Sequence, residues 1–224
     1  MNPRRRGIAP RRTSYGGVMF ARSSTINAQP SSIDPGITFV GDELMDEMLA
    51  IDGCVGLSLL VDRRSGRCIA TSSWADEAAM HASESRVPPL RQRLMSAFGA
   101  TDITNEEWDV VVMHRAHRAP DGAQARLGFI RSDPARTEES IDIYKSVLPD
   151  LEAFDGFCSA SLLLNRSSGR AVSNVIYDSG AALAASADRA QQLRTRATGR
   201  MGADVTEVAE FELAFAHLRV PELV

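Results

Sequence analysis

The sequence is poor in the features that usually announce a chemistry. None of its apolar runs approaches the ~20 residues that a bilayer-spanning helix needs. It has no glycine-rich phosphate loop, no nucleophile elbow and no Cys or His cluster at metal-ligand spacing, which disfavours nucleotide-binding, hydrolase and zinc readings. Cysteine is scarce, with three in 224 residues. An odd number without metal spacing points to reduced thiols in the cytoplasm. Basic charge is also scarce beyond the N-terminus. The chain carries a net charge of −4, yet residues 1–18 hold five arginines and no acid, so the remainder stands at −9. An acidic body argues against a nucleic-acid surface on the folded part.

What is present begins with that basic stretch. Residues 1–18 mix Arg, Gly, Pro and Ser with little apolar content and read as a disordered, solvated arm, with Met19 as an alternative start. Arg11-Arg12 resembles a twin-arginine export signal, but no apolar segment follows, and that reading is rejected.

The body is built on an internal echo. Residues 52–67, DGCVGLSLLVDRRSGR, return at 155–170 as DGFCSASLLLNRSSGR, with nine of sixteen positions identical. At the same offset of 103, Ser83, Arg86, Leu90, Arg91 and Glu107 meet Ser186, Arg189, Leu193, Arg194 and Glu210. Upstream, at an offset of 104, Ala21-Arg22 meets Ala125-Arg126. A period of about 100 residues is a domain duplication, far longer than a solenoid unit.

Within the stretch, Asp52-Gly53 closes a helix. Val55, Leu57, Leu59 and Val61 alternate with Cys54, Gly56, Ser58 and Leu60 at the period of a strand. Gly66 suits the left-handed position of a short hairpin loop. The first half then reads as strand 20–28, a helix opened by Asp34-Pro35, the hairpin, a helix capped by Asp76 and interrupted at Pro88-Pro89, and strand 106–114. On that last strand Trp108, Val110, Val112 and His114 share one side. The second half reads as strand 125–131, helix 136–153, hairpin 157–177, helix 179–198 capped by Ser179, and strand 206–217.

Each half is thus an α+β unit of order β-α-β-β-α-β, the ferredoxin-like arrangement, spanning residues 20–118 and 125–218. Helices cover only one face of each sheet. Two such sheets packed together cover the other, and a duplicated chain supplies its own partner. The expectation is one intramolecular barrel, monomeric or a weak homodimer.

The order of elements, the helix-Asp-Gly-strand-hairpin core, the aromatic ending the third strand and the Ser-bearing helix after it resemble the antibiotic biosynthesis monooxygenase family of the dimeric α/β-barrel superfamily. The resemblance covers residues 20–218 as two tandem copies. It implies a small-molecule monooxygenase acting on a planar hydrophobic or aromatic substrate, either cofactor-independent or haem-degrading; the alternative is a non-catalytic ligand-binding or structural barrel on the same fold. Haem-degrading members use an Asn on the first strand, a Trp ending the third and a His on the second helix. The resemblance therefore nominates Asn27, Trp74 and His81: His81 as base, Trp74 as stacking wall and Asn27 as oxygen-binding donor. The second half has Arg131, Tyr177 and Ala184 at those places. Convergence of the three on one cavity is the geometric requirement.

The remaining candidates have structural readings. His114 and His217 are matched strand ends. Cys54 and Cys68 flank the hairpin, where they could face each other as small core residues. The pairs Arg91/Arg93 and Arg194/Arg196 read as solvated helix faces.

Overall fold

A computed structural model describes residues 19–218 and 222–224; the basic arm expected over 1–18 lies outside the described residues. The first half runs β1 (Met19–Asn27), α1 (Ile33–Phe39), α2 (Met45–Leu49), β2 (Cys54–Val61), β3 (Arg67–Trp74), α3 (Glu77–Ala82), α4 (Val87–Ala97) and β4 (Ile103–Arg115). A π-helical turn, Val40–Leu44, joins α1 to α2. The second half repeats the order as β5 (Gln124–Arg131), α5 (Thr137–Ser146), α6 (Leu148–Glu152), β6 (Phe157–Asn165), β7 (Arg170–Tyr177), α7 (Gly180–Ala185), α8 (Ala187–Met201) and β8 (Asp204–Leu218).

Local chemistry sets the element ends. The Asp76 carboxylate accepts from Ala79 N at 2.7 Å, and Ser179 Oγ accepts from Ala182 N at 3.2 Å, so each second helix is capped as its sequence implies. Gly66 and Gly169 take φ of 79° and 68° in the two hairpin loops, where a side chain would be strained. Asp34 lies inside the first turn of α1 rather than at its cap, which is Ser32. Pro88 and Pro89 sit at the start of α4, where missing amide donors cost nothing.

The eight strands form one closed antiparallel barrel in the order β1-β3-β2-β8-β5-β7-β6-β4. The halves do not merely stack. The last strand of each pairs with the second strand of the other, β8 on β2 and β4 on β6, so closure removes every sheet edge. The apolar residues divide into three clusters: one between each half's sheet and its helices, and a third inside the barrel around Met19, Leu60, Trp108, Leu127 and Phe211.

Bulges redirect two alternations expected from the sequence. A register shift between Cys54 and Gly56 turns Val55 into the barrel, away from Leu57, Leu59 and Val61, which face the first-half helices. A second shift between Val110 and Val112 leaves Trp108 and Val110 inside and carries Val112 to the second-half core. Cys54 and Cys68 do not face each other: Cys54 pairs with Trp74 at one end of the hairpin and Cys68 with Val61 at the other. All three cysteines are unpaired, and burial pushes the Cys68 and Cys158 thiols up to about 12 and about 11, which leaves them inert.

Candidate functional site

The structure does not bring Asn27, Trp74 and His81 together. Asn27 is exposed and pairs with Arg67, whereas Trp74 pairs with Phe20 seven residues earlier on β1, which places the two about 23 Å apart along the strand. Trp74 is fully buried, and its indole N–H donates to Ser72 Oγ at 3.0 Å. It is packed into the first-half core. His81 is 56% exposed and its Nε2 lies 3.3 Å from Glu107 Oε2. The expected constellation is therefore replaced by three separate environments: a core aromatic, a surface imidazole and a strand-end amide. His114 stacks on Phe157 and lies between Glu152 and Glu222, while His217 Nε2 is buried without a hydrogen-bond partner among the described residues.

What does converge is a cluster of arginines between sheet and helices, repeated in both halves. In the second half Arg126 on β5 is buried. It donates through Nη1 to Ser186 Oγ at 2.8 Å, through Nη2 to the Leu183 carbonyl at 2.8 Å, and to Glu210 from both Nε (3.0 Å) and Nη2 (2.8 Å). In the first half Arg22 does the same with Ser83, the Met80 carbonyl and Glu107. A fully satisfied buried guanidinium of this kind ties strand, helix and neighbouring strand into one unit.

A second arginine stands over each cluster, on the longer helix. The sequence reading puts Arg91 and Arg194 on solvated faces. Instead both line pockets between sheet and helix, while Arg93 and Arg196 pair with the surface carboxylates of Glu43, Glu47 and Asp150. The helical period explains the split: residues two apart cannot share a face, so only one of each pair points inward.

The two pockets differ. In the first half Glu84 contacts both arginines, at 2.6 Å from Arg22 and 3.5 Å from Arg91. In the second half the matching position is Ala187, and Arg194 has no carboxylate partner among the described residues. Burial first, and then the nearby Arg126 charge, depress the Arg194 pKa, with Tyr177 acting in the opposite sense. The second pocket is also roomier, about 70 Å³ against about 40 Å³. Gly128 replaces Ser24 and Ala197 replaces Leu94 in its lining. Its walls are largely apolar, with Ile130, Val175, Leu193 and Met201 beside the hydroxyls of Tyr144 and Ser173. Burial pushes the Tyr144 phenol up to about 12, and it bonds Ser161 O and Ser173 Oγ, both at 3.1 Å.

The structure is a closed α+β barrel of two tandem ferredoxin-like units. The same fold is found in an anthrone oxidase-like protein (TM-score 0.66, 15% identity, 95% of this chain and 98% of that one). It is found again in a Listeria monocytogenes ferredoxin-fold protein related to antibiotic biosynthesis monooxygenases (0.53, 9%, 89% and 96%). LmHde, a heme-degrading enzyme also from L. monocytogenes, shares it as well (0.51, 8%, 87% and 99%). No family model matches the sequence. The chain belongs to one family with the Mycobacterium tuberculosis proteins named Uncharacterized protein Rv2557 (48% identical, 97% of each chain) and Uncharacterized protein Rv2558 (50%, 97% of this chain and 92% of that one).

Neither sheet–helix pocket fits a haem: among the described residues no imidazole or thiolate lines either one, His81 stands in solvent, and about 70 Å³ is far too little for the macrocycle. Among the described residues no group of His, Cys, Asp and Glu is placed to hold a metal, and no helix is long and apolar enough to cross a membrane.

Proposed function

We propose that the protein binds a small, planar, largely apolar molecule carrying one acidic oxygen, between the second-half sheet and α5 and α8, and acts on it as a cofactor-independent monooxygenase. The observation that carries this reading is the loss of the Glu84 carboxylate at Ala187, which leaves the Arg194 guanidinium unpaired beside an apolar pocket. A half-buried cation without a counter-charge loses part of its hydration, and a ligand anion offsets that loss. The space suits a single aromatic ring, with the flexible Met201 able to yield to a larger one.

In this reading Arg194 favours the ionised phenol or enol, the apolar walls exclude water, and the electron-rich anion reacts with dioxygen directly. The step balances without an outside reductant. A substrate methylene gives up both its hydrogens and gains one atom of dioxygen as a carbonyl, and the other atom leaves with those hydrogens as water. A second reading, binding without turnover, is favoured by one fact: no carboxylate or imidazole lines the pocket, so the substrate proton has no general base there. The unpaired thiols and self-closed barrel support a cytoplasmic protein working as a single chain.

Thermal melts and an oxygen electrode, with phenol and anthrone as probes, test both readings. Oxygenase function predicts a ligand-raised Tm in the wild type, lost in Arg194→Gln, together with oxygen uptake matching anthrone loss. A Tm shift without uptake selects the binding reading. No shift with either probe contradicts both.

A further inference from the structure

The barrel interior is not filled like an ordinary core. Inward-facing positions of β1, β3, β2 and β6 carry Ser23, Thr71, Ser73, Ser58 and Ser161, while Leu127, Phe129 and Ile176 face them from β5 and β7. Hydroxyls and apolar side chains are thus interspersed around the lumen, with Leu60, Ile69 and Leu163 on the hydroxyl-bearing strands and Asn174 on β7. A small inner compartment of about 80 Å³ shares Ser58, Leu60, Met113, Ser161 and Asn174 with a wide outer one of about 650 Å³, so the two are continuous. The outer volume lies in the range of small-molecule sites.

The ends of the lumen are unlike. At the hairpin end, Arg67 stacks over Phe129 (4.9 Å) and Phe211 (5.6 Å) and is held by Glu207, while Arg170 stacks over Trp108 (5.8 Å) and is held by Glu106. Those contacts plug it. The other end is rimmed by residues 117–122, which join the halves. The rim is fixed: Ala116 and His117 N–H both donate to the Cys158 carbonyl, and Leu213 N–H donates to the Ala123 carbonyl. Arg115, His117 and Arg118 line this mouth together with Asp121 and with Glu212, which is paired to Arg63, and among the described residues neither Arg115 nor Arg118 has an ion-pair partner. Two lining residues, Asn174 and His217, each hold a buried side-chain atom, Oδ1 and Nε2, without a hydrogen-bond partner among the described residues. Unsatisfied atoms in a lining are what a binding site tolerates and a packed core does not.

We propose that the lumen is a second site, separate from the sheet–helix pocket, that takes an amphipathic organic anion through the linker end. The apolar body lies against Leu60, Met113 and Ile176, its oxygen functions meet the lumen hydroxyls, and its acidic head meets Arg115 and Arg118.

The probe is 8-anilino-1-naphthalenesulfonate, an aromatic sulfonate, titrated by fluorescence into the full-length protein. One saturable site is expected. It should weaken about tenfold in Arg115→Gln/Arg118→Gln and stay unchanged in Arg93→Gln, a charge loss elsewhere on the surface. Asn174→Leu supplies an independent readout: it removes a buried polar atom without a partner, so Tm should rise by about 2–4 °C while probe affinity falls. Absence of saturable binding, binding indifferent to the mouth arginines, or an Asn174→Leu variant with lower Tm and unchanged affinity would each overturn the proposal. The sheet–helix pocket is tested with phenol and anthrone, so either site can fail alone.

Discussion

At the scale of residues, the two halves separate by a handful of side chains. Gly128 is the clearest. A Cβ built there meets Arg194 Cδ at 3.8 Å and Ser173 Cβ at 4.0 Å, ordinary contact distances. Gly128→Ala should therefore fit without strain and stabilise the strand by ~0.5–1 kcal/mol, while taking volume from the second-half pocket. Thermal melts should show the gain, and phenol titration a weaker affinity. Glu107 gives a pH signature. Burial opposes its ionisation, but the hydrogen bonds and charge of Arg22, with His81 behind, outweigh it and hold the carboxyl below its ordinary 4.5. A depressed carboxyl contributes stability above its unfolded pKa and loses it as pH falls through the folded value. Glu107→Gln should melt below the wild type at pH 7, and the gap should close as pH falls below about 4.5. Glu107 is 42% exposed, so solvent screening keeps the effect to ~1 kcal/mol or less.

At the scale of elements, much was legible. The hairpin glycines, the Asp76 and Ser179 caps and the β-α-β-β-α-β order follow from turn chemistry and periodicity, which are local. Ser179→Ala should cost ~1 kcal/mol, read by urea unfolding, because Ala182 N loses its acceptor. Strand facing after the bulges was not legible. One extra residue at Val55 or between Val110 and Val112 reverses every side chain beyond it, and no residue type marks the place. The site followed a similar course. Arg22/Arg126, Ser83/Ser186, Arg91/Arg194 and Glu107/Glu210 were visible as repeated polar positions. Read one by one they resemble surface residues. Taken together, a polar set repeated across four elements marked the buried cluster. Ala187 standing opposite Glu84 at the same offset, a difference the sequence reading passed over, is what leaves Arg194 without a carboxylate. Asn27, Trp74 and His81 came instead from the family resemblance, and strand register placed them apart.

At the scale of the molecule, the duplication makes each half the missing wall of the other. Strands β8 and β4 cross between halves, so cutting the joining segment near Asp121-Gly122 removes a rim and no sheet hydrogen bond. Proteolytic nicking there should leave a particle with the mass of one intact chain by light scattering. Separation into free halves would deny that the barrel holds itself together. A fold closed in this way leaves two sheet–helix pockets free to diverge, and the difference in charge between them is the ground for assigning function to the second.

That assignment is tested most directly with 4-nitrophenol, a single-ring phenol that is colourless when protonated and yellow when ionised. Absorbance titration across pH, with and without protein, reads the ionisation of the bound molecule. The second-half pocket predicts that binding lowers the apparent pKa of the phenol in the wild type and in His81→Ala, and that Arg194→Gln abolishes the shift. An unshifted pKa in the wild type, or a shift that survives Arg194→Gln and disappears in His81→Ala, would contradict it.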